Sequence, residues 1–354
     1  MVTFSYQATK AQNERLQSSR NDYHFGADLS YLKQAEDNGI EFKENGVVKP
    51  GLEILSSHGI NWIRLRLMHT PSAWTGGGIL PNDLDYTIKL AQDAKKYGMK
   101  FLLNYHYSDT WADPGKQYIP KAWEGLSQKQ LVKAVYDYTL ETMRAFADAG
   151  VYPDMVQVGN EITPGMLWPN GKIPENPEGF LELLRAGING VLASVDATVK
   201  VPKIMIHIDK GGDKKATQSF FDRIVAADIP FDIIGQSYYP WWHGTLMDLR
   251  ENLNFTAERY KKDIIVVEIA YNMEPREYAP APNKTRLPPY PESPEGQVEF
   301  VNAVHEAVMS TPGNHGLGVY WWEAATSRGG GRTYFDRNGN VQPVVNVFDK
   351  YTRY

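Results

Sequence analysis

One unit recurs along this chain: a helical stretch, a glycine that stops it, and a short apolar run. Residues 51–57 lead through Gly59 into Ile60–Leu67. A second copy starts at Asn82 after Pro81 and sets Leu84, Ile88, Ala91 and Lys95 along one side, with Ala94 beside them. It stops at Gly98 and continues into Met99–His106. A third starts near Ser127, turns Leu131, Val135, Tyr138 and Phe146 toward a core, stops at Gly150 and leads into Asp154–Gly159. Glycine after a helix accepts the left-handed conformation that closes it. Further strand-like runs stand at His24–Leu29, Lys203–Ile208, Phe231–Gln236, Asp263–Val267 and Leu317–Trp321, eight in all. Near-continuous apolar strands separated by helices belong to a parallel sheet covered on both faces. Eight such units predict an α/β fold, a (β/α)8 TIM barrel, with residues 1–354 as a single domain. The competing arrangement is a doubly wound open sheet. It would carry a glycine-rich phosphate turn after an early strand, and none is present.

Composition narrows the partners. The formal net charge is −5 and no basic cluster stands out, so no nucleic-acid partner is expected. The absence of cysteine excludes disulfides, thiolate catalysis and cysteine-based metal centres. No apolar run approaches the ~18 residues of a membrane span, and Met1–Arg20 has no signal-peptide core.

Two glutamates follow apolar runs. Glu161 closes Val156–Ile162, and Glu268 stands in Ile264–Ala270. In a parallel barrel, catalytic groups collect at the C-terminal ends of the strands. Splitting a glycosidic bond by the commonest route needs two carboxyl groups flanking it. As the ends of the fourth and seventh strands, these two would face each other across the barrel mouth. Asn160 precedes the first and could bond a sugar hydroxyl. Arg64 and Arg66 alternate on one face of the second strand, and a buried arginine beside carboxylates keeps one of them ionised. Arg64, deeper in the strand, better fits simple ion pairing inside the barrel. Tyr238 and Tyr239 end the sixth strand, where a hydroxyl could donate to a nucleophile.

Trp111, Trp168, Trp241, Trp242, Trp321 and Trp322 all follow or end strand-like runs. Aromatic faces make stacking platforms for pyranose rings, although any of them could be core. Two loops, Ile162–Gly179 and the proline-rich Asn272–Pro294, follow the two glutamates and are expected to wall a cleft. A rival site is metallic: His106 with Asp109 and His207 with Asp209, joined by His69 and His243. The first strand lacks a His-x-His pair, and no tight spacing supplies the four or so converging ligands, so no metal is expected. Residues 336–340 resemble part of a calcium loop but lack the distal glutamate; Asn338-Gly339 reads as a hairpin turn.

A family resemblance rests on these residues together. It is carried by Gly26–Ser30, Ile63–Leu67, His106 with Ser108–Gln117, Gln157–Ile162 with Trp168-Pro169, Ile234–Pro240 with Trp242–Gly244, and Val267-Glu268. In this order the chain resembles the endo-β-1,4-galactanases of glycoside hydrolase family 53. The Trp111–Gln117 segment is the most specific part. The resemblance implies a (β/α)8 barrel that cleaves with retention, with Glu161 as acid/base and Glu268 as nucleophile. Asn160, Arg66 and Tyr239 become supporting residues. Asp28, His106 and Trp322 become contacts at the scissile sugar, with Asp109, Trp111, Trp168 and Trp242 as further substrate contacts. The implied partners are β-1,4-galactan and galactooligosaccharides, met by a monomer that needs no cofactor. Such an enzyme is expected to be secreted or held at the cell surface. Met68 and Ile269 depart from the family's common residues. Several bacterial members have an Asp-rich calcium loop after the nucleophile strand. Residues 272–294 show no such cluster, so a structural calcium is not carried over. Three other readings stand beside this one: a related retaining hydrolase on another β-linked polysaccharide, a sugar-binding barrel without catalysis, and a metal-dependent hydrolase.

Overall fold

The aliphatic and β-branched runs pair edge to edge in a computed structural model that describes residues 22–76, 80–275, 288–326 and 331–349. The strands are β1 (His24–Asp28), β2 (Trp62–Leu67), β3 (Lys100–Tyr105), β4 (Met155–Val158), β5 (Lys203–Ile208), β6 (Ile233–Tyr238), β7 (Asp263–Ile269) and β8 (Gly316–Trp321). All pair in parallel with their sequence neighbours, and β1 closes the ring by pairing with both β8 and β2. The expected eight-stranded barrel is what forms.

Between strands run α1 (Gly51–Ser57), α2 (Leu84–Lys96), α3 (Gln128–Asp148), α4 (Pro177–Ala193), α5 (Lys214–Ala226), α6 (Leu246–Tyr260) and α7 (Pro294–Met309). After β8 a 3-10 turn, Pro343–Val347, packs on α7. Side-chain caps start several helices: Ser127 and Gln130 form a capping box on α3, and Thr245 with Asp248 does so on α6. The cap of α2 is Asp83, which accepts from the Tyr86 amide, and not Asn82, whose amide donates to the Ser30 carbonyl. The core face of α2 is accordingly Thr87, Leu90, Ala91 and Ala94, with Leu84 and Ile88 only partly buried.

Side chains alternate inward and outward along each strand, and the inward positions are layered. The floor is apolar: Trp62, Leu102, Met155, Met205, Ile233, Ile265, Val267 and Tyr320 form their own cluster inside the ring. Gly26 makes room there, because a Cβ would lie 2.2 Å from the Tyr320 ring. Two residues further along, the same positions become Arg64, Asn104, Gln157 and His207, all fully buried. This polar layer explains two boundary differences. β6 and β7 run past their apolar stretches, through Ser237-Tyr238 and Glu268-Ile269, because the barrel interior at that height accepts polar side chains.

Residues 336–340 form the expected turn, with Asp336 accepting from the Asn338 and Asn340 amides. Residues 276–287, the middle of the loop expected to wall the cleft and the stretch considered for calcium, lie outside the described residues.

Truncating Leu102 to alanine removes floor volume without touching the polar layer. The expected loss is about 2–5 kcal/mol, read as a lower urea midpoint. A loss well under 1 kcal/mol would remove Leu102 from the packed floor.

Candidate active site

The polar layer begins with a buried ion cluster. Asp28 at the end of β1 accepts from Arg64 Nη1 at 3.2 Å, Arg66 Nε at 3.0 Å and Arg66 Nη2 at 3.1 Å. Burial alone would push the Asp28 carboxyl up, but Arg66 and Arg64 outweigh it and hold it below the usual range. Arg64 also reaches Glu268, Nη1 to Oε1 at 2.9 Å. The internal pairing expected of Arg64 is present with Asp28, and it extends to Glu268. Arg66 instead joins Asp28 to Glu323 and lies near the Tyr31 and Trp322 rings. The physical reason is height: the long Arg64 side chain rises from the middle layer into the site, whereas Arg66 already emerges at the rim.

Glu268 owes its direction to a bulge. Gln236 pairs with Val266, and Ser237 then pairs with Glu268, leaving Val267 as an extra residue in β7. Val267 joins the apolar floor while Glu268 turns into the cleft. Its other oxygen accepts from the Tyr239 hydroxyl at 2.9 Å. Burial and the adjacent Glu268 push the Tyr239 phenol well above its ordinary range, so it stays a donor.

Glu161 lies beyond the last residue of β4, not on the strand. Gly159 at φ +84° and Glu161 at φ +48° form a left-handed turn. Positive φ at a non-glycine residue is uncommon and concentrates at functional sites. The turn is pinned by the Ile162 amide, which donates to the His207 carbonyl. Ser237 Oγ donates to Glu161 Oε1 at 2.6 Å. Burial first, then Glu268 and Asp209, push the Glu161 carboxyl well above the ordinary glutamate range. Ligand atoms of Glu161, His207 and Glu268 all lie within 4.8 Å of one another.

These groups open on a cleft of about 960 Å³. Arg66, His106, Asn160 and Tyr239 line it, as do Trp111, Trp242 and Trp322. Trp111 and Trp242 are 37% and 46% exposed. The other three tryptophans go elsewhere. Trp241 and Trp321 are core, and Trp168 packs outside the cleft with Lys172 over its ring. Asp109 also stands apart from the cleft lining, its carboxylate accepting from the Thr70 and Lys121 amides. Asn160 lines the cleft, but its amide is spent on the Arg64 guanidinium and the Ala112 carbonyl. His106 is held neutral, well below its usual range, by burial and by Arg66 and Arg64.

The rival histidine site does not assemble. His69 packs against Trp123 and Tyr138, His243 accepts from the Tyr239 amide, and Asp209 accepts from Thr163. Sequence reasoning missed Ser237 and Glu323. Ser237 carried a signal, a hydroxyl near the end of a strand that opens apolar. Glu323 follows Trp322 at φ +54° and lines the cleft, with its carboxyl raised by burial.

Comparison with known proteins places these residues in context. The model of Glycosyl hydrolase family 53 matches residues 24–353. A protein of Niallia circulans, described as an uncharacterized protein in bgaB 5'region, is 44% identical over 85% of this chain and 83% of its own length. A probable arabinogalactan endo-beta-1,4-galactanase A of Aspergillus fumigatus is 39% identical, again over 85% of this chain and 83% of its own length. Among solved structures, the Ignisphaera aggregans GH53 catalytic domain superposes with a TM-score of 0.83 at 34% identity, over 92% of this chain and 95% of that one.

Replacing Asp28 by alanine strands two buried guanidinium groups, and the expected loss is about 3–5 kcal/mol, measured by urea unfolding. The sign with pH follows from the depressed carboxyl. Its contribution is full above about pH 4 and is lost as pH falls through the lower folded value. Wild type should therefore lose stability more steeply on acidification than Asp28→Asn. Parallel acid curves for the two would contradict the ion cluster.

Proposed function

The chain belongs to glycosyl hydrolase family 53, and from that premise we propose that it cleaves β-1,4-galactosidic linkages within galactan, with retention of configuration. One observation carries the mechanism: the carboxylates of Glu161 and Glu268 approach within 4.8 Å and sit in opposite surroundings. Retaining glycosidases hold their pair about 5–5.5 Å apart, and inverting ones about 6.5–9.5 Å. Glu268 is paired with Arg64, whereas burial and its neighbours favour the neutral form of Glu161. That division suits a nucleophile and an acid.

In the first step Glu268 attacks the anomeric carbon while Glu161 gives its proton to the departing oxygen. A covalent glycosyl-enzyme results. Glu161, now a carboxylate, takes a proton from water, which attacks the same carbon and releases Glu268. Arg64 and Tyr239 orient Glu268. Asn160 acts by fixing the turn beside Glu161. Arg66, His106 and Trp322 line the wall on which the scissile sugar rests, with Asp28 acting behind Arg66. Exposed Trp111 and Trp242 suit neighbouring rings of a polymer.

The substrate rests on the galactanase name carried by the Aspergillus relative. No step here requires a cofactor, and the pair is complete in one chain, which suits a monomer working as one catalytic domain over residues 1–354. A polymer of this size is met outside the cell, hence secretion or surface display.

The test is proton NMR of fresh digests of linear β-1,4-galactan. The β-anomer of the products should appear first and then mutarotate. Early α-anomer would overturn retention, and release from xylan or mannan but not galactan would move the substrate. Glu161→Ala and Glu268→Ala should each lose about 10²–10⁴ in turnover or more while folding normally. Galactan bound tightly by wild type without new reducing ends would favour a non-catalytic sugar-binding barrel. Because Glu161 is raised, the alkaline limb of kcat/KM should lie above the ordinary glutamate value of about 4.3.

A further inference from the structure

We propose that Ser237 is a positioning residue for Glu161: its hydroxyl, aimed by His207, occupies Oε1 and so fixes the transferable proton on Oε2. This rests on Glu161 being the acid/base.

The direction of the chain of hydrogen bonds follows from groups that cannot reverse. The Glu161 backbone amide points at His207 Nδ1, at 3.4 Å. The Gln157 amide nitrogen lies 3.0 Å from the same atom. Gln157 cannot be turned over, since its Oε1 accepts from Arg64 Nε and Nη2. Asn160 Oδ1 also lies 3.2 Å from Nδ1, but it already accepts from Arg64 and Asn104. The Glu161 backbone amide cannot reverse, so its donation makes Nδ1 an acceptor. A neutral imidazole then carries its hydrogen on Nε2. Burial, with Arg64 nearby, keeps His207 neutral.

His207 Nε2 lies 2.8 Å from Ser237 Oγ, so it donates to that oxygen. Ser237 has one hydrogen, and Glu161 Oε1 lies 2.6 Å away to receive it. All three side chains are buried. A carboxyl group that accepts on one oxygen carries its proton on the other. Proton delivery in the first step and proton uptake in the second therefore use the same oxygen, with no rotation between them.

The other groups facing Glu161 are Glu268 from β7, Asp209 beyond β5, Asp113 from the loop after β3, and the Tyr239 phenol. None of them donates to Oε1. Removing Ser237 takes away the hydroxyl donor that opposes these influences, so the Glu161 carboxyl should move further up.

The experiment compares Ser237→Ala, Ser237→Thr and wild type across pH. Substrates are linear galactan and a 2,4-dinitrophenyl β-1,4-galactobioside, whose leaving group departs without an acid. Ser237→Ala should move the alkaline limb of kcat/KM up by roughly one pH unit. It should lose about tenfold or more in rate on galactan relative to the aryl substrate. Ser237→Thr, which keeps a hydroxyl, should recover both. An unmoved limb with equal losses on the two substrates overturns the proposal, because a merely structural serine would behave that way. If Ser237→Ala does not fold, Ser237→Cys keeps the shape with a weaker donor and carries the same comparison. Glu161→Gln separates the two levels: undiminished galactan cleavage there sinks the acid/base assignment itself. An inactive Glu161→Gln beside a silent Ser237→Ala sinks only the role of Ser237.

Discussion

A single guanidinium organises the upper half of this barrel. Arg64 is fully buried, and its guanidinium makes four hydrogen bonds, two to Gln157 and one each to Asp28 and Asn160, with an ion pair to Glu268 besides. A fork engaged in this way leaves its neighbours little freedom. It sets the amide orientation of Gln157 and of Asn160, and through Gln157 it bears on the tautomer of His207. It meets Glu268 directly. Glu161, on the opposite side, receives the arginine's influence only through those intermediaries. The two carboxylates thus differ in character because one touches the cation and the other does not.

The layering beneath explains how such a cluster is tolerated. Buried ions are costly unless paired and hydrogen-bonded, and this set is both. The apolar floor seals it from one end of the barrel, and the outer core between strands and helices seals its sides. Polar residues can occupy the upper inward positions because each finds partners on adjacent strands at the same height. The same feature makes strand ends hard to read from apolar runs alone, since the strands continue while their inward side chains change character.

Much of the barrel was legible in the chain because the strands' outward residues are mostly apolar and the first three helices are stopped by Gly59, Gly98 and Gly150. The two glutamates were legible because they follow such runs. What escaped sequence reasoning has physical causes. Glu161 reads as a strand terminus, yet a glycine two residues earlier lets the chain turn before it. Arg64 and Arg66 look equivalent by alternation, and only their height decides which reaches Glu268. Trp168, Trp241 and Trp321 share the sequence setting of Trp111, Trp242 and Trp322, but spacing does not distinguish a ring turned to the core from one turned to the cleft. Ser237 stood in plain view as a hydroxyl at a strand end, and its meaning depends on a partner 76 positions away.

The extra residue in β7 carries a consequence for how this fold diversifies. Val267 and Glu268 both face inward, so the carboxylate stands level with Ser237, one residue lower than a ladder without the bulge would put it. One residue of strand rises about 3.3 Å. Retaining and inverting separations differ by roughly 1–4 Å. The gap between the two carboxyls is therefore commensurate with a single insertion or deletion in one strand. Stereochemical outcome, in such an architecture, is encoded in backbone length as much as in side-chain identity.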